Sequence, residues 1–137
     1  MTHTLVGTVK EINIYPVKSM RGVSVEYADV YWYGLNGDRT YAFIHDDAAS
    51  GFPWLTAREH PNLLQYQPYF VDSVSPLKSE VRVLTPTGDD IALTELQSEL
   101  AQVYPKPISL LKLMRGAFDC MPVSIISSSS LSTFENL

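Results

Sequence analysis

One cysteine, Cys120, is all the thiol this 137-residue chain carries. A single thiol excludes an internal disulfide framework and any metal cluster held by thiolates of this chain alone, and it makes a reducing compartment the expected setting. Positive charge is scarce too, with 10 Lys and Arg against 15 Asp and Glu, a formal charge of −5. The basic residues are spread along the chain, so no basic stripe is present for the phosphate contacts that dominate nucleic-acid affinity. Nucleic acid is not an expected partner. No run approaches the roughly 20 apolar residues of a membrane helix, and the N-terminus lacks a charged segment followed by an uninterrupted apolar core. The expected location is cytoplasmic, with no membrane partner. No internal repeat is present either.

What the chain does have is enough apolar material for one core, 45% hydrophobic residues in 15.3 kDa. Surface scaling for that mass gives roughly 7,000 Å² exposed when folded against about 22,000 Å² unfolded, so one domain can form without staples. Leu5 to Tyr15 alternates imperfectly but favours a strand through Val9, Ile12 and Ile14, and Pro16 stops it. A second strand is expected from Val23 to about Tyr33. Asn36-Gly37 can supply the positive φ values of a tight hairpin between 31–33 and 41–44. A turn is expected over 46–51, with Trp54 to Ala57 re-entering the sheet and a short helical turn beginning at 59–62. Leu63 to Val71, Val81 to Leu84, Ile91 to Leu93 and Ile108 to Met114 complete the strand candidates, with Val123 to Ile126 beyond them.

The clearest helical period runs from Thr94, as the expected cap, to about Tyr104, with Leu96, Leu100 and Val103 on one face. A second helix is expected to begin in the serines Ser127 to Ser130, with Leu131, Phe134 and Leu137 at helical spacing. Many short strands with one or two short helices define a mainly β fold, a β-barrel or a strongly curled antiparallel or mixed sheet.

Three cationic loops stand at expected strand ends: 18–22 with Lys18, Ser19 and Arg21, 36–39 with Arg39, and 56–58 with Arg58. In a meander alternate strand ends meet on one rim, where Lys and Arg charge with hydroxyl donors suits a small anionic ligand, phosphate being the simplest. The competing reading is that these are solvated turn cations paired with Asp38, Asp46 or Glu59. His3, His45 and His60 lack metal-ligand spacing, so no metal site is expected. Cys120 has no Lys, Arg or His immediately beside it to activate its thiol. The aromatic residues from Tyr15 to Phe43 are expected to serve core and cross-strand pairing.

Tyr-Pro-Val-Lys-Ser-Met-Arg-Gly at 15–22, Gly-Leu-Asn-Gly-Asp-Arg at 34–39 and Leu-Thr-Ala-Arg-Glu-His-Pro-Asn-Leu at 55–63, in that order, resemble the N-terminal β-barrel domain of MOSC proteins. These are the molybdenum-cofactor sulfurase C-terminal domain proteins, which include the amidoxime-reducing components. The resemblance implies a domain over residues 1–115, with 116–137 as the crossing segment and start of the MOSC domain itself.

The resemblance also implies a molybdenum cofactor, a molybdopterin whose phosphate and pterin are held partly by Lys18, Ser19 and Arg39, with Arg58 matching a further motif position. The family's metal-ligating cysteine lies downstream of anything matched here, and Cys120 does not correspond to it. The expectation is therefore an oxidoreductase module that is catalytically incomplete alone and partnered by a MOSC half or redox partner. The alternative is a β-barrel binding or interaction module without catalysis, its terminal apolar residues packing on the barrel or on a second copy in a homodimer.

Overall fold

The computed structural model of the chain describes residues 3–47, 51–118 and 120–136. Part of the turn expected over 46–51, the Leu137 position of the terminal apolar face and Asp119 lie outside the described residues. Among the described residues nine strands form, in chain order: β1 (Ile12–Ile14), β2 (Val23–Val25), β3 (Val30–Tyr31), β4 (Gly34–Leu35), β5 (Tyr41–His45), β6 (Gln67–Phe70), β7 (Val81–Leu84), β8 (Asp90–Ala92) and β9 (Ile108–Lys112). A 3-10 helix (Pro61–Gln65) and two α-helices, α1 (Leu93–Val103) and α2 (Ser128–Glu135), complete the mainly β architecture.

The ladders form four separate sheets, β1–β2, β3–β4, β5–β9 and β6–β7–β8, every pairing antiparallel, and none closes on itself among the described residues. The mainly β form expected, a barrel or a strongly curled sheet, is present in open ladders. Its seams are local. Pro16 has no N–H to continue the β1 ladder, so its carbonyl instead accepts from Tyr41 N (3.1 Å), and Val17 makes a parallel bridge to Tyr41. Arg21 N donates to Tyr66 O and Gln67 Nε2 to Gly22 O, joining the first sheet to β6. Helix α1 packs against β7, β8 and β9, spanning the gap the ladders leave.

The core lies inside this curl: Val17, Phe43, Leu55, Leu63, Val83 and Leu96 are essentially inaccessible. Each such side chain contributes roughly 1.5–3 kcal/mol by leaving water. Helix α1 buries Leu93, Leu96 and Leu100, but Val103 is exposed because Tyr104 takes the core contact at that end. Thr94 is not the cap. The cap is Ala92, two residues earlier, and the Glu95 carboxylate accepts from Ala92 N (2.6 Å).

Several local expectations are corrected. Asn36-Gly37 does not join 31–33 to 41–44; the tight hairpin is β3–β4, turning at Trp32-Tyr33 with Gly34 at φ +118°. Strand β5 pairs instead with β9, Tyr41 opposite Lys112 and His45 opposite Ile108, and meets the 54–57 stretch at an Ile44–Trp54 bridge and a bond from Leu55 N to Phe43 O (2.9 Å). Gly37 still needs its positive φ (+85°), and a Cβ there would come within 2.8 Å of Pro76. The expected first strand is reduced to β1, because β2 ends at Val25 and leaves nothing opposite residues 3–11; Leu5, Val6 and Val9 are exposed.

The stretch expected from Val23 to Tyr33 is split by a bend into β2 and β3, and Val123 to Ile126 forms no strand. Helix α2 begins as expected in the serines, with Ser127 Oγ accepting from Ser130 N (3.1 Å), but Leu131 and Phe134 are exposed rather than packed on the sheet. These exposed stretches account for an accessible surface of 9423 Å², above the size expectation.

Candidate functional site

Lys18 follows directly on the bridge that ties Val17 to β5, and its own N–H donates to Tyr41 O (2.8 Å). That fixes its backbone at the floor of the curl, and the side chain is only 3% exposed. Its Nζ donates to Ala117 O (3.2 Å) and stands 6.0 Å from the centre of the Trp54 ring. A buried ammonium requires acceptors or an aromatic face to replace water, and both are present. Lys18 is therefore not the solvated turn cation of the competing reading.

Arg39 is held by a double grip on Tyr15. Asp38 Oδ1 accepts from Tyr15 N (2.6 Å), and Arg39 N donates to Tyr15 O (2.6 Å). The guanidinium lies 6.0 Å from the Tyr15 ring centre and 5.8 Å from that of Phe118. Burial pushes the Asp38 carboxyl above its ordinary range; the Tyr15 N–H and the Arg39 charge pull the other way but are outweighed. Asp38 thus serves the turn backbone as an acceptor. Of the other carboxylates in the competing reading, Glu59 bonds His45 Nε2 (2.9 Å).

Lys18 and Arg39 converge on one residue. Ala117 gives its carbonyl to Lys18 and its N–H to Arg39 O (2.8 Å). Ser19, half-buried beside Lys18, has φ +65°, and Arg39 has φ +48°; among the described residues they are the two non-glycine positions in the left-handed region. Such a backbone costs roughly 1–2 kcal/mol per residue in an L-amino acid. Arg58 lies exposed on the turn that Thr56 closes by accepting from Glu59 N and His60 N, and it makes no hydrogen bond or ion pair among the described residues. The structure brings Lys18 and Arg39 together at Ala117, carries Ser19 beside Lys18 in the chain, and leaves Arg58 outside these contacts.

Sequence reasoning missed Trp54, Ala117 and Phe118 as neighbours of these cations. An aromatic just upstream of Thr-Ala-Arg was the one available signal. A surface hollow of about 230 Å³ lined by Asn36, Val74, Ser75, Leu77 and Lys78 includes none of the candidate residues. Among the described residues no group of three or more His, Cys, Asp or Glu is placed to hold a metal ion, and no helix is long and apolar enough to cross a membrane.

The family model described as the MOSC N-terminal beta barrel domain matches residues 6–123, and the chain belongs to that family. No curated protein matches the chain by sequence.

Proposed function

We propose that this module binds an anion through Lys18, Ser19 and Arg39, and that the anion is the phosphate end of a molybdenum cofactor used by an oxidoreductase. The observation that carries this reading is the coincidence at one place of a buried ammonium with the two left-handed non-glycine residues. Strained backbone persists where surrounding structure over-determines it, and it clusters at ligand clamps. The donor set fits the group. Lys18 supplies a point charge, Arg39 a planar fork of N–H donors and Ser19 a hydroxyl, all acting in a partly desolvated setting where charge–charge attraction is stronger than in water.

When bound, the molybdenum cofactor supplies two-electron redox chemistry; this chain's residues bind and orient its phosphate and pterin. Exposed Arg58 adds longer-range attraction. A cytoplasmic setting and a MOSC half or redox partner complete the reading. The exposed Ile125, Ile126, Leu131 and Phe134 favour a second reading, an interaction module whose apolar face meets another protein or a second copy.

The test is the thermal midpoint in phosphate against chloride at equal ionic strength, for the wild type and for Lys18→Ala/Arg39→Ala. A ligand at about 100 times its Kd stabilises by about 2.7 kcal/mol, which for this chain is a rise of roughly 9 K. The rise is expected in the wild type and not in the double variant. Equal behaviour of the two proteins would overturn the anion site.

A further inference from the structure

The two cations of the candidate site are engaged by the chain itself. Residues 116–118 run across them as a strap. The Ala117 carbonyl sits on Lys18 Nζ (3.2 Å), the Ala117 N–H on Arg39 O (2.8 Å), and the Phe118 ring lies 5.8 Å from the Arg39 guanidinium carbon. The fit is close. Gly116 has φ +72°, and a Cβ there would fall 2.5 Å from the Phe118 ring and 2.9 Å from Asp38 O. Past the strap, Pro122 lies against Gly34 of the β3–β4 hairpin, whose own Cβ would come within 3.0 Å of it.

Building on the anion site argued above, we propose that the strap is an internal competitor of the anion, and that binding of the anion releases residues 116–118 from the Lys18–Arg39 site. The reasoning is steric and electrostatic. Ala117 is 2% exposed and Lys18 is 3% exposed with the strap in place. With Lys18 and Ala117 both this inaccessible, an oxyanion reaches Nζ only when the residues covering it, Ala117 among them, move aside. A carbonyl offers the ammonium only a dipole, whereas an oxyanion adds charge–charge attraction, which is stronger in a partly desolvated site than in water. The apparent affinity of the anion is then reduced by the fraction of molecules in which the strap is down. Weakening the strap raises that affinity, and anion binding raises the fraction with the strap up.

Trypsin reads this directly. Arg115 is exposed, but cleavage after it requires Gly116, Ala117 and Phe118 to enter the protease cleft, which a buried Ala117 prevents. Lys10, exposed and outside any ladder, is the internal reference for protease activity. Cleavage at each site is followed by fragment mass in phosphate and in chloride at equal ionic strength, on the full chain and on Phe118→Leu and Phe118→Ala. Phosphate is expected to accelerate cleavage after Arg115 about tenfold or more, the factor that corresponds to 1.4 kcal/mol of coupling, while cleavage after Lys10 stays constant. Both Phe118 variants are expected to cleave faster after Arg115 without phosphate and to need less phosphate for the same midpoint shift; the leucine variant serves where alanine fails to fold.

A phosphate-dependent midpoint with unchanged or slowed cleavage after Arg115 would overturn the strap and leave the anion site standing. No phosphate effect on midpoint or cleavage, in the wild type or either variant, would overturn both. A midpoint shift confined to the Phe118 variants would support the strap as a competitor that dominates in the wild type.

Discussion

Replacing Asp38 separates its service as a hydrogen-bond acceptor from the cost of its charge. Its Oδ1 takes the Tyr15 N–H at 2.6 Å, on the residue whose carbonyl fixes Arg39. Asp38→Ala leaves that N–H without its acceptor, a loss of about 1–3 kcal/mol. With about 2.1 cal/mol/K of unfolding entropy per residue, 1 kcal/mol moves the midpoint of a chain this long by roughly 3.5 K. The alanine variant should therefore melt about 4–10 K lower. Asp38→Asn keeps a carbonyl acceptor and removes the charge.

Because burial raises the Asp38 pKa in the folded state, the folded chain holds that proton more tightly than the unfolded chain. Asp38's contribution to wild-type stability is then full below the unfolded carboxyl value of about 3.9 and is lost as pH rises through the higher folded value. Asparagine escapes that loss. The midpoint difference, Asp38→Asn minus wild type, should grow across this window and level off above it, read by melts from about pH 3 to about pH 8. A flat difference, or one that falls with pH, would mean that the Tyr15 N–H and Arg39 outweigh desolvation, and the reasoning from burial would be wrong.

Gly116→Ala places a methyl group against the Phe118 ring and Asp38 O at a left-handed φ, and should cost more than about 2 kcal/mol in chemical denaturation. Gly88→Ala, at φ +93° in open space, should cost only about 1 kcal/mol; equal losses would refute the steric account of the strap. Glu95→Ala removes the acceptor for Ala92 N at the start of α1 and should lower stability by about 0.5–1 kcal/mol, with Glu95→Gln recovering most of it. A cost as large in Glu95→Gln as in Glu95→Ala would show that the contact is charge rather than capping.

The elements whose signals are local were legible. Helix α1, the 85–89 turn, strand β7 and the serine-led α2 stand where hydrophobic period, Pro and Gly place them. What was not legible is partnership across the chain. The Asn36-Gly37 dipeptide carries the backbone freedom that a hairpin needs, and the structure uses that freedom for a close approach to Pro76 and Phe70 instead. Strand β5 reads as a hairpin arm in isolation, yet its ladder is with β9, because the chain from Pro16 onward already occupies part of its other edge. Loop-closure entropy makes sequence neighbours the natural guess, and the burial of Phe43 and Ile108 in the common core outweighs it.

The same distance in sequence hid the setting of Lys18. Its residue type and turn position named it as a candidate, but the carbonyl it serves is 99 residues away at Ala117, and no local pattern encodes that contact. From composition, a turn lysine beside serine is a solvated charge; in the fold it is buried, with the Ala117 carbonyl and the Trp54 ring among its neighbours. Ser19 and Arg39 argue further. If a left-handed turn were all that those positions required, glycine would provide it at no steric cost, as it does at Gly37 two residues before Arg39. A hydroxyl and a guanidinium stand there instead, against a backbone cost of roughly 1–2 kcal/mol each. The Arg39 side chain recovers some of this against Tyr15 and Phe118, but no hydrogen bond among the described residues engages its guanidinium. Planar donors held in place by a strained backbone and left facing rings are what an anion clamp needs before its ligand arrives, and packing alone gives no reason to place them there.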